Sequence, residues 1–406
     1  MTKRTSDVLV VDVLPYIHST RARKLARTIK MSLSADVLAV TLQRVGRNQI
    51  EDSRSYFIED GVRVLQVPSP RTFERRTISA TLGNALIVYP RAAVQLARIS
   101  MQTESRILVI GNTALIPLAW IYTLRRRVPV VVNARERFNG IRTKGSLGTL
   151  ASRAEPLLTR FLKREDVLVV TVTEGHAKEF RAAGARHVIT TRNLPASDFA
   201  PQEFPELPAG QRLVIVLIGS LYTGRGIEAL VKAIAILKER GTAVTLEITG
   251  RGSDEYIASL ERLIESEGVN NDVVMLGSCE PEEVAARYAR GHMGTALYEG
   301  VDKANDSLSN KLFETVCSGR PVLAGNLSEN VRVVEQYGVG WTSPVTPEGL
   351  AETIERINED RQLIADIALH CHEVAHTSLN WETECEPLVK AVRDWTSKGR
   401  IQTSNT

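Results

Sequence analysis

Asp306 and Glu314 stand eight positions apart in the stretch YEGVDKANDSLSNKLFETVCSGRPVLA, residues 298–324, with Ser309, Asn310 and Lys311 between them. Such a run reads as a strand ending near Tyr298, a polar loop, a helix capped by Ser309 that carries Lys311 and Glu314, and a stop at Gly319-Arg320-Pro321. A further strand, Val322 to Ala324, follows. The free N–H groups and positive dipole end of that helix favour phosphate, and Lys311 adds a cation beside them. A second reading stands next to this one: Lys311 and Glu314 are spaced i, i+3, as ordinary solvated ion pairs on helix surfaces are.

Two other turns in the same half could serve one ligand. They are Gly219-Ser220-Leu221-Tyr222-Thr223-Gly224-Arg225-Gly226 and Gly250-Arg251-Gly252, each following an apolar strand pattern. Glycine lets backbone N–H groups approach a phosphate closely, and Arg225 with Lys311 would neutralise it. One such turn alone is a plain strand-to-helix connection, whereas three on one strand edge suggest a shared site. Arg225-Gly226 occupies the place where a P-loop requires Lys-Ser/Thr, and no G-x-G-x-x-G follows any strand, which argues against nucleotide-hydrolysing and dinucleotide-binding folds.

The elements that position these residues alternate regularly. Strand patterns fall at Val8–Val13, Val37–Leu42, Arg63–Val67, Ile107–Ile110, Val128–Val132 and Val167–Thr171 in the first half, and helices are predicted at Arg21–Leu33, Leu86–Ile99 and Ala114–Arg127. The second half repeats the rhythm with strands Leu213–Ile218, Val244–Thr249, Val273–Leu276 and Met293–Tyr298, and helices Gly226–Glu239, Glu255–Glu265 and Pro281–Arg290. Alternation of this kind builds doubly wound parallel sheets. With 406 residues there is material for two cores. Residues 1–197 are expected to form one Rossmann-like domain and residues 212–376 a second, joined by the proline-rich linker 198–211. Residues 377–406 hold a last helix and a tail.

Lys and Arg exceed Asp and Glu by 16 in residues 1–200 and fall short by 12 in residues 201–406, giving the net +4 of the chain. The basic half suits an anionic partner, a lipid surface or a phosphorylated acceptor, or else it only aids solubility. Nucleic acid is not expected with so few aromatic residues. Cys279, Cys317, Cys371 and Cys385 have no metal-ligand spacing and read as thiols of a reducing compartment. A cytoplasmic protein is therefore expected; the apolar-basic helices Leu86–Ile99 and Ala114–Arg127 allow peripheral contact at the inner face of the membrane, although their place between strands favours packing against the sheet. No membrane-spanning run and no secretion signal are read in the chain.

Arg225-Gly226-Ile227-Glu228 after Gly219-Ser220-Leu221, Ile248-Thr249-Gly250-Arg251-Gly252, Val274-Met275-Leu276-Gly277, and Asn310-Lys311-Leu312-Phe313-Glu314 with Ser318-Gly319-Arg320-Pro321-Val322 together resemble glycosyltransferase family 4. The spacing of Asp306 and Glu314 is similar to the acidic pair of that family. Fainter similarity covers Tyr16 to Arg27, Thr171-Val172-Thr173-Glu174-Gly175, Arg192-Asn193-Leu194-Pro195 and Ser378-Leu379-Asn380-Trp381-Glu382, so that most of the chain is included. The resemblance implies a GT-B architecture of two Rossmann-like domains facing a central cleft, with an N-terminal acceptor domain, a C-terminal donor domain and a final helix crossing back to the first. Three departures stand out. Ser220 replaces a common phosphate-binding Arg, Asp306 replaces the commoner Glu, and Asn133-Ala134-Arg135-Glu136 falls where members often carry Asp and His.

What the resemblance implies is a retaining hexosyltransferase that uses a UDP- or GDP-type sugar without a metal or other cofactor. Glu314 would receive the ribose hydroxyls, Asp306 would lie beside the sugar, and Leu308, Ser309, Asn310 and Lys311 would approach the diphosphate. Gly219, Ser220, Gly224, Gly250 and Gly252 complete the donor side. Arg225, Lys311, Asp306 and His18 are the catalytic candidates, and Arg135, Glu136 and His176 are the acceptor-side ones. For His18 and His176 the competing reading is a surface loop and a strand-end histidine. Two further functions fit the same scaffold, a nucleotide-sugar epimerase or hydrolase and a non-catalytic nucleotide-sugar-binding subunit.

Overall fold

Val8 to Val11, Ile107 to Ile110 and Val130 to Val132 are uninterrupted apolar runs, and every residue in them is buried. A strand buried on both faces needs helices over both, which is the condition a parallel sheet made of βαβ units fulfils. The computed structural model describes residues 4–13, 20–45, 55–70, 89–134, 158–299 and 307–402. The chain divides into two units, residues 1–192 with 385–406, and residues 193–384.

In the first unit β1 (Arg4–Val11), β2 (Val37–Val45), β3 (Ser55–Glu59), β4 (Val62–Pro70), β5 (Thr103–Ile110), β6 (Val130–Asn133), β7 (Val167–Thr171) and β8 (His187–Thr190) form one sheet. Its order is β3-β4-β2-β1-β5-β6-β7-β8, parallel throughout except for β3, which runs antiparallel to β4. The apolar pattern does not reveal β3 or β8, because both lie at an edge and are only half covered. A turn signal was nonetheless present: Asp60 and Gly61, with φ of 51° and 73°, form the two-residue connection between β3 and β4. The helix Thr20–Leu33 buries Leu25 and Ile29. Against it and β5 packs the C-terminal helix Glu386–Gln402, through a stripe that includes the buried Leu388 and Val392.

The second unit contains β9 (Leu213–Ser220), β10 (Val244–Arg251), β11 (Val273–Met275), β12 (Met293–Ala296), β13 (Val322–Gly325) and β14 (Gly340–Ser343). Their order, β11-β10-β9-β12-β13-β14, is all-parallel and reverses direction between β9 and β12. At such a switch point the loops leaving adjacent strands diverge and open a crevice at the carboxyl edge. The helix Ile227–Glu239 covers this sheet with Ile227, Leu230, Val231, Ile234 and Leu237, all buried, as its periodicity predicts.

The proline-rich stretch 198–211, read in the sequence as a linker, lies inside the second unit, whose boundary falls at Asn193. Arg320 holds it there. The guanidinium donates to the carbonyls of Pro205 and Glu206 at 2.8 Å each, while Arg361 donates to Gln211 and the His376 ring meets the Pro201 carbonyl. Proline removes N–H donors but leaves carbonyls, so a proline-rich strap is well suited to being held by cations from outside.

His292 gives this unit a pH dependence. Its Nδ1 accepts the backbone N–H of Val214 at 3.0 Å, and burial first, then the Arg361 charge, lower its pKa to about 4. The neutral ring belongs to the fold, whereas in the unfolded chain the ring protonates near 6.5. This contribution is complete above pH 6.5 and is lost as pH falls through about 4, at a cost of up to about 3 kcal/mol. Urea midpoints measured from pH 7.5 to 4 should therefore fall, and His292→Gln should flatten the profile. An unchanged slope in the variant would remove His292 as its cause.

Candidate functional site

β9, β10 and β11 are neighbours in the sheet, and their carboxyl ends form the floor of a pocket of about 450 Å³. β9 supplies Ile218, Gly219 and Ser220, β10 supplies Thr249, Gly250 and Arg251, and the segment after β11 supplies Ser278 and Cys279. Lys311 and Glu314 line it from the first turns of the helix Asn310–Cys317, with Phe199, Pro281 and Val284 as apolar walls. Every one of these residues belongs to the second unit.

Two glycines shape this floor, Gly250 by close approach and Gly219 by its backbone angle. A Cβ at Gly250 would lie 1.8 Å from the carbonyl oxygen of Gly219, so the two turns pack backbone to backbone. At Gly219, where φ is +154°, a side chain would meet Lys311 Cε at 3.2 Å and Arg225 Nη2 at 3.4 Å. That open position is where the two cations converge. Arg225 reaches it from the turn before the helix Ile227–Glu239, with Tyr298 and Tyr222 against its guanidinium.

Lys311 Nζ donates to Glu314 Oε2 at 2.6 Å, and both side chains are about a quarter exposed. The ion pair anticipated as a surface feature is thus present, and it sits in the pocket wall. Beneath it Tyr288 is fully buried, and burial followed by the Glu314 charge pushes its phenol upward, so it stays protonated. The Cys279 thiol is also held in its neutral form by burial.

Ser309 stands at the N-cap position but its hydroxyl does not cap the helix, contrary to the sequence reading. Its backbone N–H donates to Asn330 Oδ1 at 3.1 Å, and Asn330 Nδ2 in turn donates to the Ala296 carbonyl at the end of β12. The side chain of Asn330, from the helix Ser328–Tyr337, therefore takes over the anchoring of this helix start. Ser309 Oγ is buried with no partner, so its side chain caps none of the first-turn N–H groups; that of Leu312 donates to the Ser309 carbonyl at 3.2 Å.

Gly219, Ser220, Gly250, Lys311 and Glu314 come together in the pocket, and Arg225 stands beside it. Gly224 faces open space, Gly252 packs on the Leu221 carbonyl, and Leu308 rests against the apolar cluster of Leu312 and Phe313; with Ser309 and Asn310 these stand outside the lining. In the first unit His176 is buried at the start of the helix Glu174–Ala182, its N–H held by Thr173 Oγ1. Asn133 at the end of β6 accepts from the buried Arg21 at 2.8 Å. Asp306, His18, Arg135 and Glu136 lie outside the described residues. Sequence reasoning missed Phe199, Ser278, Cys279, Pro281 and Val284, which have no motif of their own, and the two tyrosines on Arg225. Aromatic residues within a few positions of a glycine turn were the signal available for the latter.

Residues 212–360 match the family model described as Glycosyl transferases group 1. Among characterised proteins, the chain is similar to alpha-D-kanosaminyltransferase of Streptomyces kanamyceticus, 24% identical over 37% of this chain and 38% of the relative. It is also similar to a GDP-mannose-dependent alpha-(1-6)-phosphatidylinositol monomannoside mannosyltransferase of Mycobacterium tuberculosis, 22% identical over 45% and 48% of the two chains. The match thus spans less than half the length of either relative. Solved structures align over nearly the whole chain. Anabaena HepE, in complex with UDP and glucose, superposes with a TM-score of 0.67 at 15% identity over 96% of this chain and 99% of that one. Sucrose-phosphate synthase of Thermosynechococcus elongatus gives 0.67 at 13% identity, covering 97% and 100%. At these identities the likeness is one of fold, and the fold is GT-B, two Rossmann-like parallel-sheet domains.

Proposed function

We propose that this chain is a glycosyltransferase that takes a sugar from a nucleoside diphosphate carrier, reading the pocket of the second unit as the donor site. The observation that carries the proposal is the convergence of Arg225 and Lys311 on the open side of Gly219, beside a helix start that the Ser309 hydroxyl does not cap. Breaking the bond between the anomeric carbon and the diphosphate oxygen leaves both bonding electrons on the diphosphate. Cations and N–H donors fixed where that charge develops lower the barrier. Arg225 and Lys311 supply this charge without a metal ion, and a structural neighbour solved with UDP and glucose and a relative named as GDP-mannose-dependent make UDP- and GDP-linked sugars the first carriers to test.

Glu314 is assigned to the ribose hydroxyls and Asp306 to the sugar. For the stereochemical course we favour retention, with the acceptor hydroxyl attacking the face the diphosphate leaves and passing its proton to a donor phosphate oxygen. The acceptor is assigned to the first unit and to an anionic or lipid-linked class. The helices Tyr89–Met101 and Ile116–Arg126 support this, since they expose Val94, Ile121 and Leu124 next to Arg98, Arg125 and Arg127 with no acid in either helix. Exposed apolar side chains on helices that carry cations and no acid fit an anionic bilayer surface. Among the described residues no helix is long and apolar enough to cross a membrane. A protein of the cytoplasm with peripheral contact at the inner membrane face is the corresponding location.

The test is to offer UDP- and GDP-sugars with and without acceptors presented in anionic vesicles, at low and high salt, and to follow release of nucleoside diphosphate. Turnover that needs acceptor is expected, with vesicle binding lost at high salt. Glu314→Ala should weaken nucleotide affinity by about 1.5 to 3 kcal/mol. Absence of any nucleotide binding by the wild-type protein would sink the proposal, and binding without turnover under every condition would favour the non-catalytic subunit.

A further inference from the structure

The two cations at Gly219 are held by different means. Lys311 is compensated by Glu314 at 2.6 Å. Arg225 has no ion pair with a described carboxylate, and two aromatic faces hold it instead: its guanidinium carbon lies 4.2 Å from the ring centre of Tyr298 and 5.5 Å from that of Tyr222. The rings come from the segments that follow two neighbouring strands, Tyr222 from the glycine turn after β9 and Tyr298 from the segment after β12. The two segments are tied by a hydrogen bond from Glu299 N–H to the Gly224 carbonyl at 3.1 Å. Tyr298 is itself fixed, because a Cβ on Gly325 of β13 would come within 3.3 Å of its backbone nitrogen, so strand and loop are in close contact there.

We propose that Tyr298, assisted by Tyr222, is a positioning residue that keeps Arg225 aimed at the Gly219 turn with its positive charge uncompensated by any described carboxylate and its N–H donors available. The proposal rests on the donor-site reading above. A carboxylate partner would orient a guanidinium equally well, but it would occupy the donors and cancel the charge that a departing diphosphate needs. The negative face of an aromatic ring attracts the cation while using none of its N–H groups. Lys311, bound to Glu314, can then serve to fix the bound nucleotide, and Arg225, paired with no described carboxylate, faces the charge that develops during bond cleavage. Tyr222 is half exposed, so its ring is free to follow the guanidinium when a ligand enters.

Binding of UDP, GDP and UMP by calorimetry separates this from a structural role. Tyr298→Leu should weaken binding of the diphosphates about 5- to 30-fold, and UMP much less, while Tyr298→Phe, which keeps the ring, should stay within about twofold of wild type. Tyr298→Leu combined with Arg225→Ala should bind no more weakly than Arg225→Ala alone, since the ring acts only through the guanidinium. Additive losses in the double variant, or unchanged binding by Tyr298→Leu, would overturn the proposal. A second readout needs no nucleotide: the side-chain protons of Arg225 in arginine-labelled protein should show an upfield ring-current shift, kept in Tyr298→Phe and lost in Tyr298→Leu. No such shift in the wild type would overturn the clamp even if every diphosphate binds. Failure of all diphosphates to bind a wild-type protein that shows the shift would count against the donor-site reading alone.

Discussion

Arg320→Met should destabilise the second unit by about 3 to 5 kcal/mol, read as a lowered urea midpoint with the loss concentrated in residues 193–384. The side chain is fully buried and gives hydrogen bonds of 2.7 to 2.9 Å to five carbonyl oxygens, those of Ala289, Gly291, Pro205, Glu206 and Gly319. Burial brings its pKa down to about 10, which still leaves it protonated at neutral pH. Methionine fills much of the volume, so the loss measures polar satisfaction: five carbonyl acceptors lose their donor at once, those of Gly291 and Gly319 in fully buried bonds and the other three in partly buried ones. Hydrogen exchange should localise the effect to the strap around Pro205 and Glu206. A variant with wild-type midpoint and unchanged strap protection would show that water or neighbouring donors replace the guanidinium.

Arg225→Ala should reduce kcat by about 10²- to 10³-fold, the scale associated with removing one group that stabilises charge only in the transition state. Folding should be nearly untouched, because the side chain contributes no described hydrogen bond or ion pair to the unit and one of its two ring partners, Tyr222, is half exposed. KM for the donor should rise less than kcat falls, since Lys311 and the helix start continue to hold the ground-state diphosphate. Equal kcat in variant and wild type would take Arg225 out of the phosphate site. A loss confined to KM would keep it there but restrict it to binding.

The readable parts of this chain were those whose physics is local. The helix Ile227–Glu239 and the strands β9 and β10 follow from apolar periodicity, and the pocket's glycines stood out because a strand end followed by glycine is a sequence-local signal. Where a strand is half covered, as β3 and β8 are, the pattern fades even though Asp60-Gly61 marks the turn. Ser309 illustrates the opposite error. Residue type and position both suggest an N-cap, but Asn330, distant in sequence, already holds its backbone, and the hydroxyl is left out of the cap.

The sequence by itself determined the α/β alternation, the all-apolar strands that demand helices on both faces, and the positions of the glycine turns at strand ends, since each depends on neighbours within a few residues. Only the tertiary structure decided that β11, β10 and β9 lie side by side, so that their ends share one pocket. It also decided that Arg225 meets Lys311 across Gly219 with a ring of Tyr298 against it, and that Arg320 is buried among carbonyls instead of marking a helix end at the surface. Strand order and the approach of side chains far apart in the chain are set by the packing of whole elements, and no short-range pattern encodes them.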